Sequence, residues 1–139
     1  MLFVLDTNVI VSALFWGGNP REVLEKIYLK HTICFSEETL NELKEVLKYP
    51  QFSSHIENLS FSIEEFINTL TKKAYIISNP PELSIIKEDK SDNKFLACAL
   101  ACQAFFIISG DKHLIKVKKF KNISIITPQE FLKKKDNIL

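Results

Sequence analysis

Short apolar runs alternate along the chain with longer segments whose apolar residues recur every three or four positions. Short runs between turn-forming residues are typical of buried strands, and the longer periodic segments are typical of helices packed on one face. The runs predict five strands, at residues 2–5, His31–Phe35, Tyr75–Ser78, Phe105–Ser109 and Ile123–Thr127. The periodic segments predict helices at Val9–Phe15, Pro20–Tyr28, after Ser36, after Ser62, at Asp92–Gln103, after Asp111 and from Pro128.

Local signals predict where several of these helices begin. Asn19 should cap the second helix, with Pro20 at its first position. Ser36 is suited to cap the third helix, and Ser62 to Glu65 has the capping-box pattern. Residues 51–61 are polar and give no clear prediction.

The alternation of strands and helices predicts an α/β protein with a mostly parallel, five-stranded sheet covered on both faces. The 139 residues fit a single domain, residues 1–139, and an apolar content of 46% is enough for one buried core. We see no repeat, low-complexity segment or interdomain linker in the sequence.

The overall charge does not by itself indicate a nucleic-acid binder, because 18 Lys and Arg are balanced by 17 Asp and Glu. Two groups of lysines, within residues 112–121 and 133–135, are either solvated faces or a footprint for phosphates. The three cysteines show neither zinc-site spacing nor a disulfide framework. Cys98 and Cys102 are interpreted as small buried residues of a helix.

Several classes of protein are disfavoured by what the sequence lacks. The first apolar run is too short for a signal-peptide core, and no segment approaches the ~20 apolar residues of a membrane span. We therefore expect a cytoplasmic protein with no membrane partner. Three glycines exclude the P-loop and dinucleotide motifs, and no Ser or Cys lies in a nucleophile-elbow sequence. His113 is interpreted as a solvated helix residue rather than a base.

Four acids border the predicted strands and helices. They are Asp6 after the first strand, Glu42 inside the third helix, Asp92 beside the expected cap Ser91, and Asp111 after the fourth strand. Because the carboxyl ends of parallel strands meet at one sheet edge, where open α/β folds bind ligands, these acids should converge there. Two bare carboxylates ~4 Å apart repel by roughly 4 kcal/mol at an effective dielectric of 20. The cluster therefore predicts a bound Mg²⁺ or Mn²⁺, cations that prefer oxygen ligands.

Each acid also has a structural explanation when it is taken alone. Asp6 and Asp111 can cap the helices that follow them. Asp92 can be stabilised by the dipole of its helix, and Glu42 can lie on a solvated helix face. Asp89 is near the other acids but lies in a loop, so we place it around the site or in solvent.

Residues beside the acids are candidates for supporting roles. Thr7, Asn8 and Ser109 can orient the carboxylates or a bound water. Thr7 and Asn8 can instead satisfy backbone groups at the turn from strand to helix, and both explanations stay open. The candidates for binding substrate are Ser12, Lys112 and Lys116.

The residues named above resemble the PIN-domain family of metal-dependent nucleases over nearly the whole chain. The resemblance rests on Leu5–Ser12, on Ser36 with Glu42-Leu43 and Val46-Leu47, on Asp89 with Asp92-Asn93 and Phe95-Leu96, and on Ser109-Gly110-Asp111. Gly18-Asn19-Pro20-Arg21 resembles a subgroup described as toxin components of toxin–antitoxin systems. Ser109 stands where many relatives have Thr, so the hydroxyl is retained.

This resemblance implies a three-layer α/β/α fold around a central parallel sheet. It also implies an Mg²⁺- or Mn²⁺-dependent endoribonuclease that hydrolyses RNA phosphodiester bonds. Asp6, Glu42, Asp92 and Asp111 match the catalytic metal-site positions of the family one by one. The implied partners are an RNA substrate and an antitoxin protein.

Two other functions stay open at this point. A non-catalytic, nuclease-like module would bind RNA or protein with vestigial acids. An Asp-dependent phosphotransfer domain would use an acceptor Asp at a strand end, but it gives Glu42 no role. Phe15 and Trp16, beside a glycine turn, are either a surface for a partner or homodimer or ordinary core.

Overall fold

The computed structural model describes residues 1–86 and 92–134, which form one sheet and its surrounding helices. The strands are β1 Leu2–Leu5, β2 Thr32–Ser36, β3 Tyr75–Ile77, β4 Phe106–Ile108, β5 Lys119–Phe120 and β6 Ile123–Ile126. The helices are α1 Thr7–Phe15, α2 Gly18–Lys30, α3 Glu37–Val46, α4 Ser53–Glu57, α5 Ile63–Lys72, α6 Asn93–Cys102, α7 Lys112–Val117 and α8 Pro128–Lys134. A 3₁₀ turn at Pro50–Phe52 precedes α4.

The sheet has the strand order β3-β2-β1-β4-β6-β5, and all neighbouring strands except β5 and β6 run parallel. β1 lies in its middle, where Phe3 pairs with Ile33 of β2 and with Phe106 of β4. Helical crossovers connect the parallel strands, as such a sheet requires. The predicted α/β class with a mostly parallel sheet is confirmed.

The predicted number of strands was one too few. β5 pairs antiparallel with β6, with Lys119 opposite Ser124 and Phe120 opposite Ile123. The two strands are joined by a turn in which Lys121 has φ of 54°. A two-residue strand flanked by lysines carries no periodic signal of its own. It forms because the turn between the two strands places β5 beside β6, on the side of β6 away from β4.

The central strands of the sheet are buried on both faces, which makes the three layers of an α/β/α fold. Phe3 and Leu5 belong to a core shared with α1, α2, α3, α5 and α8. Val4, which lies on the other face, belongs to a second core shared with α6 and α7. Because successive side chains of a strand point to opposite faces, burial on both sides requires continuous apolar runs.

Of the three helix starts predicted from Asn19, Ser36 and Ser62, two agree with the structure and one differs. Ser36 and Ser62 each accept a hydrogen bond from the backbone three residues later, in a capping box. The predicted start of α2 was wrong, because the helix begins at Gly18 and Asn19 lies inside its first turn. Gly17 precedes it with φ of 76°, a conformation that favours glycine and turns the chain directly from α1 into α2.

Three residues with sequence-based expectations, Asp89, Ser91 and Lys135, lie outside the described ranges. The stretch 51–61, which gave no prediction, contains α4 and contributes Phe52 to the first core. Within the described parts of the chain, every helix is too short or too polar to cross a membrane.

Candidate active site

The carboxyl ends of β1 and β4 lie side by side at the middle of one sheet edge. β1 leads to β2 on one side and borders β4 on the other, so this is the topological switch point where open α/β sheets bind ligands. The backbone amide of Asp6 donates to the carbonyl of Ile108 at 2.9 Å. Asp6 and the segment 109–111 are therefore neighbours directly beyond the two strands.

Asp6 is both a helix cap and a member of this edge. It is only 4% exposed, and its Oδ1 accepts a 3.3 Å hydrogen bond from the backbone amide of Asn8, which caps α1. Its Oδ2 accepts a 2.7 Å bond from the hydroxyl of Ser109. That hydroxyl also accepts the backbone amide of Asp111 at 2.9 Å, so Ser109 fixes two of the four acids.

The environment of Asp6 opposes its negative charge. Burial raises the pKa of the Asp6 carboxyl above its ordinary value, and the hydrogen bonds from Ser109 and Asn8 lower it by less. The nearby charges of Asp111 and Glu42 raise this pKa further. A carboxylate in such a place is favoured when positive charge is supplied to it.

Asp92 and Asp111 come together with a histidine. One ligand atom each from Asp92, Asp111 and His113 lie within 4.8 Å of one another. Asp111 caps α7 by accepting the backbone amide of His113 at 2.7 Å, and the Nδ1 of His113 is 3.6 Å from its Oδ1. His113 is half-buried beside two acids, which corrects its interpretation as a solvated residue. Its spacing of two from Asp111 was the available signal.

Glu42 reaches the site from α3 and is held at both carboxylate oxygens. The hydroxyl of Thr7 donates to Oε2. The Nζ of Lys94 contacts Oε1 at 2.9 Å, in an ion pair whose side chains are 15% exposed for Lys94 and 25% for Glu42. The sequence analysis did not single out Lys94. Its partner is 52 positions away, so local spacing contains no signal for the pair.

The structure thus brings the four predicted acids to one edge of the sheet. Asp111 belongs with Asp92 and His113, and its charge also acts on Asp6 together with that of Glu42. Carboxylate oxygens are hard ligands that suit Mg²⁺ and Mn²⁺. The donor set and the burial of Asp6 and Asp92 therefore fit a divalent cation.

A cleft of about 550 Å³ opens beside these acids. Lys112 is exposed on its rim, whereas Lys116, also exposed on α7, is not among its lining residues. Of the residues predicted at or near the site, those that line the cleft are Asn8, Ser12, Asp111 and Lys112. Asn8, Ser12 and Lys112 therefore share the cleft with Asp111, whereas Lys116 lies outside its lining.

The start of α6 is anchored by Asn93, which the sequence analysis named as part of a family motif but gave no role. The Oδ1 of Asn93 accepts the backbone amides of Ile85 and Ile86 at 3.1 and 2.8 Å. Its Nδ2 donates to the carbonyl of Ile86 at 2.9 Å. Asn93 lies between Asp92 and Lys94, so these bonds fix where both charged side chains leave the helix.

Phe15 and Trp16, which the sequence left as either ordinary core or a surface for a partner, differ from each other in the structure. The ring of Phe15 is half-buried and stacks on Phe52 at 5.2 Å between centroids. Trp16 is 59% exposed, with its ring 5.0 Å from that of His55. Phe15 therefore belongs to the core, and the use of Trp16 by a partner or homodimer stays a prediction.

A family model described as PIN domain matches residues 3–113, which include all four acids. The chain belongs to the PIN-domain family. PIN domains are nucleases that generally need a divalent metal, so the family and the donor set of this site agree. The resemblance inferred from the sequence is confirmed.

The fold of this PIN domain is also found among solved structures. It is similar to a chain in the crystal structure of VapBC2 from Rickettsia felis bound to a DNA fragment from their promoter. The TM-score is 0.60 and the sequences are 19% identical, over 91% of this chain and 98% of the other. At that identity the likeness shows the fold alone. The comparison with curated proteins gave no significant match.

Proposed function

We propose that this PIN domain is an Mg²⁺- or Mn²⁺-dependent endoribonuclease that hydrolyses RNA phosphodiester bonds. The observation that carries the proposal is the convergence of Asp6, Glu42, Asp92 and Asp111 at the switch point of the sheet. Two of them, Asp6 and Asp92, are at least nine-tenths buried. Burying several like charges is costly unless a cation compensates them, so the arrangement supports a metal centre.

The residues of the chain have distinct tasks in this proposal. Asp6, Asp92 and Asp111 hold the cation, and Ser109 orients Asp6 and the backbone of Asp111 through its hydroxyl. A bound Mg²⁺ or Mn²⁺ lowers the pKa of a water ligand and compensates negative charge on a phosphodiester. Glu42 borders the site in its ion pair with Lys94, and its charge also acts on Asp6.

The cleft beside the acids is the proposed path of the RNA backbone. Lys112 on its rim contacts a phosphate, and Asn8 and Ser12 contribute further polar groups to its lining. Contacts of this kind position a backbone without reading its sequence. Lys116, which does not line the cleft, contributes at most to the surrounding field.

The test is cleavage of a mixed set of single-stranded and structured RNAs with Mn²⁺, with Mg²⁺ and with EDTA. The wild-type protein is compared with Asp6→Asn and Asp92→Asn. Glu45→Gln, which removes an exposed acid from α3, serves as the matched control. We expect metal-dependent cutting by the wild type and the control, with a loss of at least about 100-fold in both Asp variants.

Two results would overturn this proposal. Cutting that persists in Asp6→Asn and Asp92→Asn would mean a contaminating nuclease or another site. If the wild type binds Mn²⁺ but cuts none of the RNAs, the non-catalytic binding module becomes the better explanation.

We also propose that the protein is the toxin of a toxin–antitoxin pair. This proposal is supported by the sequence Gly18-Asn19-Pro20-Arg21 and by the fold shared with a chain of the VapBC2 structure. Induced expression in a bacterial host should stop growth, and Asp6→Asn should abolish the effect. Equal growth with both proteins would argue against a toxin while leaving RNA cleavage in vitro as a separate question.

A further inference from the structure

The ion pair between Lys94 and Glu42 places a positive charge inside an otherwise acidic site. The Nζ of Lys94 is 2.9 Å from Oε1 of Glu42, and the Lys94 side chain is only 15% exposed. The other oxygen of Glu42 accepts the hydroxyl of Thr7. Both oxygens of this carboxylate are therefore engaged by side chains of the protein itself.

The position of Lys94 is set by the same turn that carries a cluster acid. Lys94 follows Asp92 by two residues at the start of α6, and Asn93 between them is bonded to the backbone of residues 85–86. The same anchored turn therefore positions both the Lys94 ammonium and the Asp92 carboxylate. Lys94 is held in place, unlike an exposed lysine whose side chain moves in solvent.

We propose that Lys94 is an internal counter-cation. Its ion pair with Glu42 keeps that carboxylate from binding a metal and limits this site to one tightly bound divalent cation. When all are ionised, Asp6, Asp92 and Asp111 face that cation, and Glu42 is already neutralised by Lys94. Among the site acids that the structure describes, Glu42 is then the one left for a second divalent cation, which would have to displace or approach an ammonium within hydrogen-bond distance of it. Repulsion at that range opposes it.

The geometry favours this role over that of a phosphate-binding lysine. A residue that grips RNA should present its ammonium to the cleft, as the exposed Lys112 on the rim is placed to do. Lys94 is instead largely buried, and its ammonium forms an ion pair with Glu42. The inference rests on the proposed metal centre but not on the identity of the substrate.

The experiment counts Mn²⁺ ions on the full chain and measures their affinity, by calorimetry and by the electron paramagnetic resonance signal of free Mn²⁺. Wild type is compared with Lys94→Met, which keeps the alkyl stem and removes the charge. Lys72→Met, which removes an exposed lysine from α5, is the matched control. We expect one ion on the wild type and the control, and on Lys94→Met either a second ion or about tenfold tighter binding.

Three further variants, which remove or keep each charge of the Lys94–Glu42 pair, test the same role if Lys94→Met is unstable. Glu42→Gln leaves the ammonium without its partner and should weaken Mn²⁺ binding by about tenfold. The double variant Lys94→Met with Glu42→Gln removes both charges and should bind about as well as the wild type. Lys94→Arg keeps the charge and should also resemble the wild type.

Unchanged or weaker Mn²⁺ binding by Lys94→Met, with one ion in each protein, would overturn the role of Lys94 and leave the metal centre intact. Two ions on the wild type would overturn it equally. Failure of the wild type to bind any Mn²⁺ would instead remove the proposed metal centre, and with it this inference. Direct binding therefore separates the two failures without an activity assay.

Discussion

At the scale of single residues, Asp6 stabilises the start of α1 as a helix cap but carries a buried negative charge that is unfavourable. Its carboxylate caps α1 and receives the Ser109 hydroxyl, yet burial and the charges of Asp111 and Glu42 disfavour its ionised form. Functional sites commonly keep such groups at the expense of stability. The free energy of unfolding should therefore respond to the charge of this one side chain.

Asp6→Asn should raise the stability of the metal-free protein. The amide keeps the shape of the carboxylate and removes a buried charge, so we expect a gain of roughly 1 kcal/mol, or about 3 °C in Tm, in EDTA at neutral pH. Thermal unfolding measures it, with Glu45→Gln as the exposed control. Addition of Mn²⁺ should stabilise the wild type more than Asp6→Asn. A variant less stable than the wild type in EDTA would contradict this account.

Thr7 is the second residue whose role can be tested alone. It is 4% exposed and its hydroxyl donates to Glu42, a bond of the stronger kind because the acceptor is charged. Thr7→Val should destabilise the protein by about 2 kcal/mol in urea unfolding, since a Glu42 oxygen loses its donor. Thr7→Ser retains the hydroxyl and should lose less than half as much. Equal losses in both variants would assign the effect to packing.

At the scale of elements, the start of α6 links the loop before it to the site. Asn93 makes three hydrogen bonds to the backbone of Ile85 and Ile86 from a position that is 6% exposed. Because the helix start carries Asp92 and Lys94 on either side, the anchoring of the element determines the geometry of two charged groups. Loss of the anchor should be felt in both folding and cation binding.

Asn93→Ala should lower the free energy of unfolding by about 2–3 kcal/mol, because two backbone amides and a carbonyl lose their partner. It should also weaken Mn²⁺ binding, since Asp92 is no longer held. Urea unfolding and calorimetry measure the two effects. Asn68→Ala, on the exposed side of α5, is the control and should change neither. Lost stability with unchanged Mn²⁺ affinity would show that the site does not depend on this anchor.

At the scale of the whole molecule, two cores on opposite faces of the sheet hold the layers together. The three cysteines, Cys34 on β2 and Cys98 and Cys102 on α6, meet in the second core as free thiols. Neighbouring thiols and burial raise the pKa of Cys34 above its ordinary value. The expected role of Cys98 and Cys102 as small buried residues agrees with this placement.

All three thiols should react with a soluble disulfide reagent only when the protein unfolds. The reagent must reach the sulfur as a thiolate, and all three sulfurs are buried in this core. We expect one slow phase for all three groups in the native protein and immediate reaction in denaturant, followed by absorbance. A single fast thiol under native conditions would show that the second core opens locally.

The apolar runs by themselves determined the strands β1, β2, β3, β4 and β6 and the class of fold. The central strands are buried on both faces and must be apolar throughout, so their signal is local and strong. The edge strand β3 is apolar too, although Tyr75 and Ile76 are exposed. Ser36 and Ser62 were equally clear, because a capping hydrogen bond spans only three residues. The positions of Asp6 and Asp111 directly after strands followed from the same local pattern.

Only the tertiary structure decided the contacts between distant parts of the chain. The pairing of Lys94 with Glu42, the approach of His113 to Asp92, and the strand β5 each depend on groups brought together by folding. Charge and hydrogen-bonding partners lie across the layers, and a single sequence contains no period that links them. The sequence therefore predicted which acids reach the sheet edge, and the fold decided what each of them touches there.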